Sequence, residues 1–325
     1  MNRDYVIGID IGGTNTQFGI VDRQGNCAAK GSISTAKNDT IETFLDHLHE
    51  EISRVITESQ QQFNIVGIGI GAPNGNYFNG TIENAPNLKW KGIIPVVDIF
   101  KQFYKLPIVL TNDANAAAIG EAVYGGAKGM ANFVVVTLGT GLGSGFVIND
   151  KLLYGHDGFA GELGHTIVDY QGRPCGCGRL GCLETYVSAT GIKRTVIEML
   201  KSGDYQSTLS GIPETELDSR IIADAAKAGD KLACDAFEFT GKILGRRLAD
   251  TVAFCSPEAI FLFGGLSNAG QLIFEPTYRH MEANMLNIFK DKVKLLPSKL
   301  EAENAAVLGA AALIWRDMEQ IQSRA

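Results

Sequence analysis

Two short glycine-rich turns, each set between apolar strand-like runs, constrain this chain more than any other feature. The first, Asp10-Ile11-Gly12-Gly13-Thr14-Asn15, follows Tyr5–Ile9 and leads into Gln17–Val21. The second, Leu138-Gly139-Thr140-Gly141-Leu142-Gly143-Ser144-Gly145, follows the run Phe133–Leu138 and leads into Gly143–Ile148. Turns of Gly and Thr expose backbone N–H groups and hydroxyls, forming concave anion sites suited to phosphate. Either turn alone reads equally well as a plain hairpin. As a pair, one early and one mid-chain, they suggest two lobes clamping a nucleotide. Gly264-Gly265, after the run Ala259–Phe263, gives a third point of close approach. No Gly-x-x-x-x-Gly-Lys-[Ser/Thr] occurs, and the second run lacks a Gly-x-Gly-x-x-Gly register. Each turn also leads into a strand where a dinucleotide fold would have a helix, so neither better-known phosphate loop is present.

The remaining pattern alternates strands and helices. Cys27–Ser34 reads as a further strand after the Asp22–Asn26 turn. Ile41, Phe44, Leu45, Leu48, Ile52, Val55 and Ile56 fall at helical spacing, with His47 and His49 off that stripe and read as solvated. Buried-type strands at Ile65–Ile70 and Ile108–Leu110 flank an irregular stretch from Gly71 to Pro95, and a small-residue helix is expected from about Ala114 to Val123. A long helix through Phe237, Leu244, Leu248 and Val252 precedes the strand Ala259–Phe263, and an Ala-rich helix from about Glu303 to Ile321 closes the chain. Lys201–Arg220 is polar and weakly patterned, as expected of a surface excursion.

A chain of 325 residues suffices for two lobes with separate cores. Its net charge of −7 argues against a nucleic-acid partner. No apolar run approaches the roughly 20 residues that span a bilayer. Asn2, Arg3 and Asp4 lead straight into a strand-like run with no apolar leader, so a reducing, cytoplasmic setting is expected.

One imidazole and three thiols, His165, Cys175, Cys177 and Cys182, lie within eighteen positions. Neutral imidazole and thiolate suit a tetrahedral Zn²⁺, and four protein ligands close its shell, which marks a structural metal. Cys175 and Cys177 are poorly spaced for a mutual disulfide. Bridges to Cys27, Cys234 or Cys255 stay open on paper, but a reducing compartment favours metal. Glu162 and Glu184 bracket the cluster as groups the loop holds in place for another purpose.

These motifs resemble the ROK family (repressors, uncharacterised frames and sugar kinases) over essentially the whole chain. The resemblance rests on Asp10-Ile11-Gly12-Gly13-Thr14, Ala85-Pro86-Asn87-Leu88-x-Trp90, Asn112-Asp113-Ala114-Asn115-Ala116-Ala117, Gly139-Thr140-Gly141-x-Gly143 and the Glu162–Glu184 segment. It implies the α/β, two-lobed, actin-like and hexokinase-like (ribonuclease H-like) ATPase fold. Residues 1–120 would form a small lobe joined by a C-terminal helix over about 303–325. Residues 121–302 would form a large lobe carrying the zinc loop 165–182, with sugar bound between the lobes.

Within the family the chain is most similar to bacterial glucokinases. The resemblance then implies an ATP-dependent hexose kinase of glycolysis that phosphorylates the sugar 6-hydroxyl, glucose first. N-acetylmannosamine, N-acetylglucosamine, mannose and fructose are the alternative sugars. Asp113 would be the general base, although Asp is equally a preferred helix N-cap. Asn87, Asn112, Asp113, Glu162, His165 and Glu184 would bind sugar. Asp10, Gly12, Gly13, Thr14, Asn15, Gly139, Thr140, Gly141, Gly143, Gly264 and Gly265 would bind ATP. Asp10 would act on the Mg²⁺ side, or is simply a turn-forming Asp. His156 has no matching role. A homodimer is implied. A sugar-sensing repressor of the same family would carry an N-terminal helix-turn-helix, for which a first strand at about Tyr5 leaves no space, and a sensor that has lost catalysis is the third reading.

Overall fold

The computed structural model describes residues 3–300 and 304–322. In chain order the strands and α-helices are β1 (Asp4–Ile11), β2 (Asn15–Asp22), β3 (Cys27–Ser34), α1 (Ile41–Glu58), β4 (Asn64–Ala72), β5 (Gly75–Asn76), β6 (Thr81–Glu83), β7 (Ile93–Ile94), α2 (Val96–Phe100), β8 (Ile108–Asn112) and α3 (Asp113–Val123). Then follow β9 (Phe133–Leu138), β10 (Leu142–Ile148), β11 (Lys151–Leu152), α4 (Glu184–Val187), α5 (Ala189–Ser202), α6 (Ser219–Lys227), α7 (Lys231–Cys255), β12 (Ala259–Phe263), α8 (Gln271–Asn284), β13 (Lys294–Pro297) and α9 (Ala305–Gln322).

They form two compact units. The first holds the described residues within Met1–Gly129, Leu152–Ala160 and Lys299–Ala325; the second holds Met130–Lys151 and Gly161–Ser298. Sequence put this boundary near residue 120, whereas the first unit continues to Gly129 and takes back Leu152–Ala160. Glu303 and residues 323–325, where the C-terminal helix was also expected, lie outside the described residues.

The first unit is built on a sheet ordered β3-β2-β1-β4-β8. β1, β2 and β3 run antiparallel, while β1, β4 and β8 are parallel neighbours. Strands covered on both faces need apolar side chains in both directions, which is why β1 reads Val6, Ile7, Ile9 and Ile11, all fully or almost fully buried. Thr40 caps α1 by accepting from Thr43 N, and Phe44, Leu45, Leu48 and Ile52 bury its apolar stripe. The helix α9 lies so close to this sheet that a Cβ on Gly69 would sit 1.9 Å from the Ala310 carbonyl oxygen. Only hydrogen fits there.

The second unit repeats the plan, with a sheet ordered β11-β10-β9-β12-β13 in which β9–β10 is antiparallel and β9–β12–β13 parallel. Its core runs through Val134, Val136, Phe237, Leu244, Leu248, Ile260 and Leu262.

Two expectations need correction, and three helices were not foreseen. The stretch Gly71–Pro95 is not irregular throughout, since β5, β6 and β7 form a small antiparallel sheet. His49 is not merely solvated: its Nδ1 lies 2.9 Å from the Tyr104 hydroxyl and its ring stacks on Phe103. Helices α5, α6 and α8 were not legible, and α8 carries Pro276 inside it, the residue that most weakens a helical reading. Among the described residues no helix is long and apolar enough to cross a membrane.

Candidate active site and metal cluster

In the first unit the parallel register decides what meets. Asp10 pairs with Gly71 across β1–β4, and Gly71 pairs with Thr111 across β4–β8. Asp10 and Asn112-Asp113 therefore share the C-terminal edge of the sheet, the usual place for ligand chemistry in such sheets. Gly71 sits between them: a Cβ there would lie 3.7 Å from Asp113 Cα and 3.8 Å from Asp10 Oδ1. Asn112, not Asp113, is the N-cap of α3, its Oδ1 accepting from Ala114 N at 2.8 Å. Asp113 occupies the first helical position, with Oδ1 2.7 Å from the same N–H.

Both carboxyls are displaced from the ordinary carboxylate range. Asp10 is pushed up to about 7, first by burial and then by the neighbouring charge of Asp113. Asp113 is open to solvent on one side but surrounded by protein on the others, and this desolvation raises its pKa against the lowering effect of the backbone N–H groups of Ala114 and Asp113. Two acids sharing one sheet edge, each resisting ionisation, form a site for a proton or a cation.

Gly12 closes the first glycine turn by donating to the Asn15 carbonyl at 3.1 Å, and Thr14 and Asn15 are exposed. Asn87, also exposed, reaches this turn from its own loop: a Cβ on Gly13 would lie 2.6 Å from the Asn87 carbonyl oxygen.

In the second unit Gly139 N donates to Gly141 O at 3.0 Å, and Gly143 N to Thr137 Oγ1 at 3.1 Å. The turn is gripped by elements that sequence did not reveal. Ala189 N donates to Gly139 O, and Thr190 Oγ1 to Thr140 O, both at 2.8 Å, from the first turn of α5. Because β9 and β12 are parallel with Phe263 opposite Thr137, Gly264 and Gly265 emerge at the same edge as Gly139, Thr140, Gly141 and Gly143.

His165, Cys175, Cys177 and Cys182 also converge in the second unit, with one ligand atom from each lying within 4.8 Å of all the others. His165 Nδ1 is 3.7 Å from Cys175 Sγ, and the Cys177 and Cys182 sulfurs are 3.6 Å apart. A tetrahedron with Zn–S bonds of about 2.3 Å has edges of about 3.8 Å, so the donor set fits that ion in both chemistry and spacing. All six cysteines are free thiols, which removes the disulfide alternatives. Burial opposes ionisation at Cys177, but hydrogen bonds from Arg179 outweigh it and bring the thiol down to about 6; Cys182 is pushed up to about 12 by burial and by its neighbouring thiols. Glu184 joins cluster to turn: one carboxyl oxygen accepts from Leu142 N at 2.9 Å, and the other lies 3.7 Å from Cys175 Sγ.

Arg173, unnoticed in the sequence, fastens this loop. It is 8% exposed. Its guanidinium donates to the Thr185 and Gly191 carbonyls, to Thr195 Oγ1 and to Glu198, and it stacks 4.4 Å over the Tyr186 ring. Its only sequence signal is its place two residues before Cys175, which fixes no partner.

Comparison with known proteins agrees with this geometry. The ROK family model matches residues 6–317. The chain belongs to the ROK family. A glucokinase of Halalkalibacterium halodurans is 33% identical over 97% of this chain and 96% of its own length. A solved ROK glucokinase of Streptomyces griseus, in complex with glucose and AMPPNP, superposes with a TM-score of 0.79 at 31% identity, covering 95% of this chain and 98% of that one. A xylose repressor of Caldicellulosiruptor bescii is 30% identical over 98% of this chain and 80% of the repressor. The expected α/β, actin-like and hexokinase-like ATPase fold is therefore the fold of this ROK protein, with the Cys/His cluster in its second unit.

The residues that the resemblance implied for sugar fall three to each unit: Asn87, Asn112 and Asp113 in the first, and Glu162, His165 and Glu184 in the second. Within the first unit Asp10, Asn112 and Asp113 share a sheet edge. In the second, His165 and Glu184 share the cluster while Glu162 begins the short 3-10 turn Leu163–His165. His156 lies exposed in the Leu152–Ala160 segment of the first unit.

Proposed function

We propose that this ROK protein is an ATP-dependent hexose kinase that transfers the γ-phosphoryl group to a sugar 6-hydroxyl, with glucose as substrate and glucose 6-phosphate as product. The observation that carries the reading is the Asp10–Asp113 edge, because phosphoryl transfer to an alcohol needs a proton acceptor and a cation-binding carboxylate close together. Asp113 takes the hydroxyl proton as the sugar oxygen bonds to the γ-phosphorus and the bond to the ADP oxygen breaks. Its raised pKa makes its carboxylate a better base than an ordinary one, and the proton it takes passes to solvent after transfer. Asp10 offers the hard oxygen ligand that Mg²⁺ takes, and the ion held there would neutralise charge developing on the phosphates.

We assign Gly12, Gly13, Thr14, Asn15, Gly139, Thr140, Gly141, Gly143, Gly264 and Gly265 to ATP: the N–H groups of Gly12, Gly139 and Gly143 close the two turns, and the turns so shaped offer their remaining N–H groups and hydroxyls to phosphate. Asn87, Asn112, Glu162, His165 and Glu184 are those we assign to sugar hydroxyls. Zn²⁺ at His165, Cys175, Cys177 and Cys182 would hold the imbedded imidazole in one orientation and tautomer, leaving its second nitrogen for a hydroxyl. We extend the reading to a cytoplasmic homodimer, which the family resemblance implies; sedimentation of the purified protein checks the dimer.

A second reading, a sugar-sensing regulator without catalysis, is favoured by the 30% identity to a xylose repressor over nearly the whole chain. An ADP-release assay with ATP and Mg²⁺ over glucose, mannose, fructose, N-acetylglucosamine and N-acetylmannosamine separates the two. The highest kcat/KM with glucose is the expected result. An N-acetyl sugar preferred over glucose overturns the substrate, and sugar binding without ADP release overturns the kinase.

A further inference from the structure

The Asn84–Gly92 loop of the first unit is closed at its neck by Asn84 N donating to Gly92 O at 2.9 Å. It is pinned to the core by Leu88 and Trp90, 2% and 7% exposed, with Trp90 packed on Phe44. Between those anchors the backbone curls so that three carbonyls converge on one cation. Lys91 Nζ donates to Leu88 O at 2.7 Å, Ala85 O at 3.0 Å and Pro86 O at 3.3 Å. Asn87, between them, turns its carbonyl the other way, against Gly13, where any Cβ would come within 2.6 Å of it.

Three carbonyl dipoles aimed at one point repel one another unless a positive charge sits there, and an ammonium with exactly three N–H donors satisfies all of them. Charge-assisted bonds of this kind are about twice as strong as neutral ones. Besides the ammonium, the 85–88 curl keeps between its anchors one long hydrogen bond, from Leu88 N to the Ala85 carbonyl at 3.4 Å, so loss of the charge loosens Asn87 from the first glycine turn.

We propose that Lys91 is a positioning residue for sugar recognition: its ammonium serves as a built-in cation that shapes the Ala85–Leu88 curl and so sets Asn87 against the Gly12–Asn15 turn. This rests on the hexose-kinase reading for its effect on substrate. It does not rest on that reading for its effect on the loop. Lys91 itself touches no reacting atom and leaves the transfer step alone. Its loss weakens binding of sugar in the ground state and transition state equally, so KM rises while kcat holds.

The test uses the full chain with Lys91→Ala and Lys91→Met, the second keeping the stem's packing without the charge. Amide exchange at Ala85, Asn87 and Leu88 and steady-state kinetics with glucose are read together. The expected result is faster exchange confined to the loop and a roughly tenfold rise in KM with kcat within about twofold, the size of one lost charge-assisted hydrogen bond. Methylammonium chloride should restore both in Lys91→Ala, whereas tetramethylammonium chloride at equal ionic strength, which has no N–H, should restore neither. Unchanged exchange overturns the proposal, as does faster exchange with KM unchanged or a fall in kcat alone. Should wild type neither bind nor phosphorylate any of the five sugars, the kinase reading falls. The exchange arm and its rescue then decide the loop claim alone.

Discussion

Replacing Arg173 by Met should destabilise the second unit by about 3 kcal/mol, and the structure shows where that figure comes from. The backbone of Arg173 is already committed, since its N–H donates to the Tyr186 hydroxyl at 3.1 Å and its carbonyl accepts from Gly181 N at 2.8 Å. Of the acceptors its guanidinium serves, Gly191 O keeps a second donor in Thr195 Oγ1 at 3.1 Å. Thr185 O, bonded at 2.8 Å, is the group that loses a charged donor in a buried setting, at a cost of about 1–3 kcal/mol. Loss of the stack on Tyr186 adds about 0.5–2 kcal/mol. Glu198 is 55% exposed and regains water when the pair is broken, so the ion pair itself contributes under about 1 kcal/mol. Glu198→Gln should therefore cost less than about 1 kcal/mol. The assay has an internal control, because both tryptophans, Trp90 and Trp315, belong to the first unit. In urea, Arg173→Met should bring forward the unfolding seen by far-UV circular dichroism and by amide exchange at Cys175, Gly181 and Leu183. The tryptophan transition should move less. Glu198→Gln as damaging as Arg173→Met would refute the argument, and so would a cost for Arg173→Met below 1 kcal/mol.

Other perturbations separate the roles of the remaining residues. Asp113→Asn should lower kcat by about 10²–10⁴ while sugar binding, read by calorimetry, largely survives; a variant keeping more than a few per cent of turnover removes Asp113 from the base role. Asp10, pushed from 3.8 to about 7, holds its proton more tightly folded than unfolded, so its contribution to stability is complete below about pH 4 and lost as pH rises through 7. The urea midpoint of the metal-free protein should fall between pH 5 and pH 8, and Asp10→Asn should remove part of that fall, up to a ceiling of about 3 kcal/mol over this window. An identical pH slope in the variant contradicts this. Cys177→Ser should lose bound zinc, measured by atomic emission, together with sugar affinity, and wild-type activity in zinc-free protein would break the link from metal to His165.

How far the chain could be read in advance depended on the range of each signal. The cysteine cluster was legible because its donors lie within eighteen positions, and tight turns at that spacing leave little choice about where the sulfurs go. The two glycine turns and the stripe of α1 were legible for the same reason, being written in spacing and side-chain size alone. Helix α8 escaped because Pro276 contradicts its own local preference and only packing on α7 overrides it. The site needed more than local rules. Asp10, Gly71 and Asp113 are separated by scores of residues and meet through the parallel register of β1, β4 and β8. Nothing in their flanking sequence states that register. Arg173 and Lys91 look like ordinary surface cations in the sequence, and the carbonyls they bind have no identity in a string of letters. Sequence thus determined which elements form and which donors cluster locally. Only the tertiary structure decided which carboxylates face one another and which backbone oxygens need a cation, because hydrogen-bond directions and burial arise only when distant segments pack.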